Sequence, residues 1–197
     1  PESTDAQRGL TRALRQAGQW HELTDILDKQ IAEASAPAHK AELYADLADV
    51  QEKELDDPHK AIDGHLKALA LVAGFGPSLT ALARLYQATE NWDRALEVLA
   101  RHAEAEKSAD LWRQAGSLAS ERSADLATAQ GYFASALALD AGHVPTLMAL
   151  AKLHRRAGEH EKAAKELMAA ERQSQNRDQR VALLTEAADL YRRQVKD

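Results

Sequence analysis

Apolar residues along this chain recur three and four positions apart. Leu79, Leu82, Ala83 and Tyr86 form one such stripe, and Leu147, Leu150, Ala151 and His154 form another. That spacing puts side chains on one face of an α-helix. Nothing alternates with period two for long enough to be a strand. The stripes and their breaks predict helices over 4–17, 20–35, 39–54, 58–73, 77–89, 92–106, 109–122, 126–139, 144–157, 160–174 and 177–195. Start signals have a mechanism. Asp57 precedes Pro58, so a carboxylate can accept from free amides while the proline lacks an N–H that would be unpaired there anyway. Asn91 and Asp125 stand in equivalent positions. Gly18, Gly74 with Gly76, and Gly158 mark stops.

The helices repeat. Asp56-Asp57-Pro58-His59-Lys60-Ala61, Glu90-Asn91-Trp92-Asp93-Arg94-Ala95, Ala124-Asp125-Leu126-Ala127-Thr128-Ala129 and Gly158-Glu159-His160-Glu161-Lys162-Ala163 are four copies of one turn and helix start. Their final alanines follow one another at 34 residues. A weaker earlier copy, Gly18-Gln19-Trp20-His21-Glu22-Leu23, lies 38 residues before Ala61 when Leu23 is matched to it.

A 34-residue period of paired helices resembles the tetratricopeptide repeat. Leu79, Leu82, Ala83, Tyr86, Ala95 and Leu99 carry the family pattern in the third repeat. Trp112, Ala115, Gly116, Ala129, Phe133 and Ala136 carry it in the fourth, and Leu147, Leu150, Ala151, Ala163, Leu167 and Ala170 in the fifth. There are departures. Leu23 and His102 stand where alanine is expected, the second and fourth repeats need one extra residue between their helices, and the proline near the repeat end is absent. The resemblance implies an all-α, right-handed alpha-alpha superhelix (a solenoid) of about 11 helices. It is read as a single array over residues 1–197, five helix pairs plus one terminal helix, and as a fragment of a longer array.

Composition narrows function by exclusion. Of the residues, 45% are hydrophobic and 28% charged, which is globular, and the net charge of −6 opposes a nucleic-acid partner. No cysteine is present, so no thiol nucleophile or cysteine-based zinc site is available. No apolar run reaches the roughly 18 residues of a membrane span. With no basic, apolar leader at Pro1–Asp5, the expected location is the cytoplasm. None of the eight histidines forms a metal-ligand pair on one helix face, so no cofactor or metal is expected. Gly74-Phe75-Gly76-Pro77 lacks the lysine of a phosphate loop and is a turn. Trp20, Trp92, Trp112 and Tyr44 are expected to pack between helices. No cluster of titratable residues suggests catalysis, so the chain is not expected to be an enzyme.

By resemblance, the first helix of each pair lines a concave groove. In this chain those positions hold Asp5, Arg8, Arg12 and Arg15, then Glu42, Ala45, Asp49 and Glu52, then Pro77, Thr80, Arg84 and Gln87. Asp110, Arg113, Ser117 and Ser120 follow, then Pro145, Met148, Lys152 and Arg155. Arg84, Gln87, Arg113, Ser117, Lys152 and Arg155 are the candidate partner-binding residues, in a groove basic from the third repeat onward and acidic at the second. The asparagines of the family's carboxylate clamp are missing from these positions. The expected function is a scaffold holding a protein or peptide. The competing readings are a homo-oligomer stacked through solenoid ends and an accessory domain of a larger enzyme. Leu183 to Tyr191 parallels Lys40 to Ala48, with Ala188-Asp189-Leu190 matched to Ala45-Asp46-Leu47. The last helix therefore reads as an unpaired first helix with one apolar side exposed.

Overall fold

A computed structural model describes the backbone of residues 4–122 and 125–194 and the side chains of 6–122 and 125–192. The side chain of Asp5, residue Ala124 and the expected helix end at 195 lie outside the described residues. Among the described residues there are eleven α-helices and no strand. The chain divides into two compact units, Pro1–Asn91 and Trp92–Asp197.

The first unit holds α1 (Thr4–Ala17), α2 (Trp20–Glu33), α3 (Pro37–Lys53), α4 (Pro58–Leu71) and α5 (Gly76–Ala88). The second holds α6 (Trp92–Glu106), α7 (Ala109–Arg122), α8 (Leu126–Leu139), α9 (Val144–Arg156), α10 (His160–Gln173) and α11 (Arg177–Gln194). These bounds depart by at most two residues from the sequence expectation. The shift at α3 has a reason: Pro37 occupies the first turn, where its fixed φ suits a helix start.

The repeated turn is also a repeated backbone state. Gly18 and Gly158 have φ of +68° and +75°, and Asp56 and Glu90 take φ of +52° and +56° at the same place in their repeats. Each reverses the chain between the first and second helix of a pair. Acidic residues hold the left-handed conformation twice because the helix ends on either side dictate it. One residue on, Asp57 accepts from Lys60 N–H at 3.0 Å. Asp125 accepts from Ala127 N–H at 3.0 Å and from the Thr128 hydroxyl at 2.6 Å.

Packing follows the stripes. In the first unit, Leu14, Leu23, Leu27, Ile31, Leu43, Leu47 and Val50 of α1 to α3 form one buried cluster. Each buried leucine contributes about 1.5–3 kcal/mol relative to exposure. Between α3 and α4 the helices meet at small residues, with Gly64 against Ala48 and the Tyr44 carbonyl. In the second unit, Gly116 of α7 receives the Phe133 ring of α8, and Trp112 stacks on Tyr132 with ring centroids 5.8 Å apart. Trp92 is packed as expected but also takes the Arg122 guanidinium over its ring at 4.3 Å. Leu147, Ala151, Ala163, Ala164, Leu167, Ala170, Leu183, Ala187 and Leu190 close the end of the unit across α9, α10 and α11.

The terminal helix has the character expected, but in a different register. Leu183, Ala187 and Leu190 are buried, as are Leu43, Leu47 and Val50 of α3. The equivalence therefore lies three residues from the one read in sequence. Val181, Leu184 and Tyr191 fall on a flanking face and are 58%, 45% and 37% exposed. In α3 the matching face is covered by its own second helix.

Candidate partner-binding face

Within the first unit, the first helices α1, α3 and α5 converge on two cavities. One, of about 970 Å³, has Arg8, Arg12 and Arg15 of α1 on one wall and Glu42 and Asp46 of α3 on the other. The second, of about 460 Å³, lies between α3 and α5. Its lining includes Glu42, Ala45 and Asp49 from one side, Pro77, Thr80 and Arg84 from the other, and His65 of α4. Glu42 and Asp46 border both cavities. Nine of the expected groove positions are thus brought together as one surface.

Side-chain charge on this surface is mostly paired. Arg15 reaches Asp46 at 3.2 Å. Arg84 grips Glu52 with both guanidinium arms, Nη2 to Oε2 at 2.6 Å. That fork holds the Glu52 carboxyl below its ordinary range and raises the arginine. Lys53 caps Asp49 at 2.8 Å. Asp46 behaves differently. Partial desolvation against the packed helices raises its pKa although the side chain keeps 56% of its surface exposed, and the neighbouring Asp49 and Glu42 raise it further against the pull of Arg15. Arg84 is therefore placed on the expected face, but its charge is satisfied within the unit. Gln87 is half-buried and donates to the Ala83 carbonyl at 2.9 Å.

In the second unit, Arg113 is held by Asp110 one turn earlier, Nε to Oδ1 at 3.1 Å. Ser117 is half-buried, and its carbonyl accepts from the Ser120 hydroxyl at 2.9 Å. Arg155 pairs with Glu186 of α11 at 2.6 Å. Lys152 is exposed.

His65 is the residue that sequence reasoning passed over. It is 1% exposed, with Nδ1 3.1 Å from the Ser78 hydroxyl oxygen and no hydrogen bond at Nε2. Burial holds its pKa below the ordinary histidine value, so it is neutral at pH 7. A usable signal was present: it follows Gly64, the close-contact residue of α4, which carries the helix inward. Among the described residues no group of three or more His, Asp or Glu side chains could hold a metal ion. No described helix is long and apolar enough to cross a membrane.

The helix-pair geometry has a counterpart in sequence. A tetratricopeptide-repeat family model matches residues 78–110. The fold is that of a tetratricopeptide repeat protein. No curated protein matches the chain in sequence. Solved tetratricopeptide-type structures do match it in shape. MamA from Desulfovibrio magneticus RS-1 is 18% identical with a TM-score of 0.57, covering 89% of this chain and 99% of that one. YrrB, described as a TPR protein with an unusual peptide-binding site, is 20% identical with a TM-score of 0.56, covering 88% of each chain. PilF of Pseudomonas aeruginosa is 18% identical with a TM-score of 0.53, covering 95% and 84%. Such identities speak for the fold.

Proposed function

We propose that this repeat protein is a non-enzymatic scaffold that binds an extended peptide or protein segment along the first-helix face. The observation that carries this reading is the continuity of the α1, α3 and α5 groove positions across two cavities sharing Glu42 and Asp46. A surface already set by packed helices lowers the ordering cost of binding. YrrB supports it as a relative in shape whose description names a peptide-binding site. Arg113, Ser117, Lys152 and Arg155 are proposed to extend the contact in the second unit.

The test is selection of binders from a displayed random peptide library on the intact chain. The variant Arg12→Glu with Thr80→Arg reverses one exposed position and fills another without touching the core. Selected peptides are expected to lose about tenfold or more in affinity to it while circular dichroism is unchanged. Lys152→Glu asks the same of the second unit. Unchanged affinity in every variant overturns the groove reading.

A second reading has its own observation. The exposed row of Val181, Leu184 and Tyr191 on α11 favours covering by another helix, and a second copy is the simplest source. Light scattering is expected to show mass rising with concentration, and Leu184→Lys to abolish the rise.

A further inference from the structure

We propose that the cavity between α3 and α5 is a subsite for a lysine or arginine side chain of the bound segment. The assignment rests on the groove reading above and sharpens it to one side-chain class.

Three observations converge. The first is a carboxylate stripe. Glu42, Asp46 and Asp49 lie four and three residues apart along α3, on one face, and all line the cavity. Their own cations are unevenly spread. Lys53 sits on Asp49, Arg15 makes a single contact to Asp46, and Glu42 has His39 at 3.3 Å. Arg84 lines the cavity as well but is turned to Glu52. The α3–α5 cavity lining therefore holds three carboxylates, Glu42, Asp46 and Asp49, against two cations, Lys53 and Arg84, while Arg8, Arg12 and Arg15 face the stripe from the α1 side.

The second observation is the floor. His65 is 1% exposed and its Nε2 has no hydrogen-bond partner. Its nearest carboxylate oxygen, Asp49 Oδ1, stands 3.8 Å away. A buried ring nitrogen normally finds a partner, and leaving one open costs about 1–3 kcal/mol. The open position faces Asp49, the stripe's last carboxylate, so the floor and that end of the stripe share one unfilled polar corner.

The third observation is the opposite wall. Phe75, Pro77 and Ala81 line it. A bare metal ion has no use for such a wall. A long side chain with a charged head does: its methylenes lie on apolar surface while the head reaches the carboxylates. Phe75 can also offer its ring to a cation. The cavity thus fits an amphipathic cationic side chain better than an anion, a metal or an apolar group.

The experiment uses the full chain and small probes, N-acetyl-arginine-N-methylamide and its uncharged analogue built on citrulline. Proton–nitrogen NMR spectra are recorded during titration, with long-range spectra for the His65 ring. Saturable shifts are expected at Ala45, Thr80 and the His65 ring nitrogens, with arginine binding about tenfold or more tighter than citrulline. Glu42→Gln with Asp46→Asn is expected to weaken arginine binding roughly fivefold, circular dichroism being unchanged. Both residues are exposed, so the fold tolerates the change. Equal binding of the two probes, or shifts that avoid the cavity, overturns the subsite. So does arginine binding that the double variant leaves intact. The groove reading fails separately. If displayed peptides bind the first-helix face while the arginine probe does not bind, the groove stands and the subsite falls. If the probe binds in the cavity but no peptide competes with it, the subsite stands and the groove falls.

Discussion

Phe133→Ala is expected to lower the unfolding free energy of the second unit by about 3–5 kcal/mol, read from chemical denaturation. The ring is 1% exposed and is among the largest fully buried side chains described. It crosses from α8 into the space above Gly116 of α7. A methyl group on Gly116 would sit 2.6 Å from two ring carbons, closer than real contacts allow. Gly116→Ala is therefore expected to cost about 1–3 kcal/mol from overpacking, despite alanine's better helix propensity. Together, Gly116→Ala and Phe133→Leu are expected to cost less than the sum of the two, because the smaller side chain vacates the space the methyl needs. Strict additivity, or a Phe133→Ala protein as stable as the parent, contradicts the described contact.

The second large effect is expected in the first unit at Gly64. A Cβ there would meet Ala48 Cβ at 2.9 Å and the Tyr44 carbonyl at 3.3 Å. The carbonyl belongs to a helix backbone and cannot swing away. Gly64→Val is expected to cost about 2–3 kcal/mol, with propensity recovering only a few tenths. Ala48→Gly in the same chain is expected to restore part of it. Gly131 provides the opposite sign. Nothing lies within 4 Å of a Cβ at that helical position, so Gly131→Ala is expected to stabilise by up to about 1 kcal/mol. Thermal midpoints that move the same way for both glycines would mean that close helix approach is not what Gly64 serves.

These two sites show what the residues alone convey. Periodicity located all eleven helices, because one apolar stripe per helix is a local property. Gly116 and Phe133 were legible as repeat positions, and their contact follows from the repeat. The charge of the groove was not legible. Arg84, Arg113 and Arg155 read as free cations, yet each is held by a carboxylate, and Glu52 and Glu186 lie 32 and 31 residues away from their arginines. Spacing within a helix says nothing about which side chain of the next helix comes within reach. His65 was hidden for the same reason. Its burial depends on how closely Gly64 lets α4 approach α3, and its open nitrogen depends on where Asp49 and Ser78 end up.

Three ion pairs join consecutive first helices within a unit: Arg15 with Asp46, Arg84 with Glu52, and Arg155 with Glu186. Arg15–Asp46 and Arg155–Glu186 are largely solvent-accessible, so each contributes about 0–1 kcal/mol and is screened by salt, whereas Glu52 is only 13% exposed in its pair. A charged guest entering between such helices finds most of the charges already paired. It offers an exchange, one ion pair for another, across a small free-energy gap. Affinity from charge alone should then be modest, and selectivity should come from which exchanges a guest can complete at once. The first-helix face behaves as a row of interchangeable partners, and a guest is recognised by how many it can replace in register.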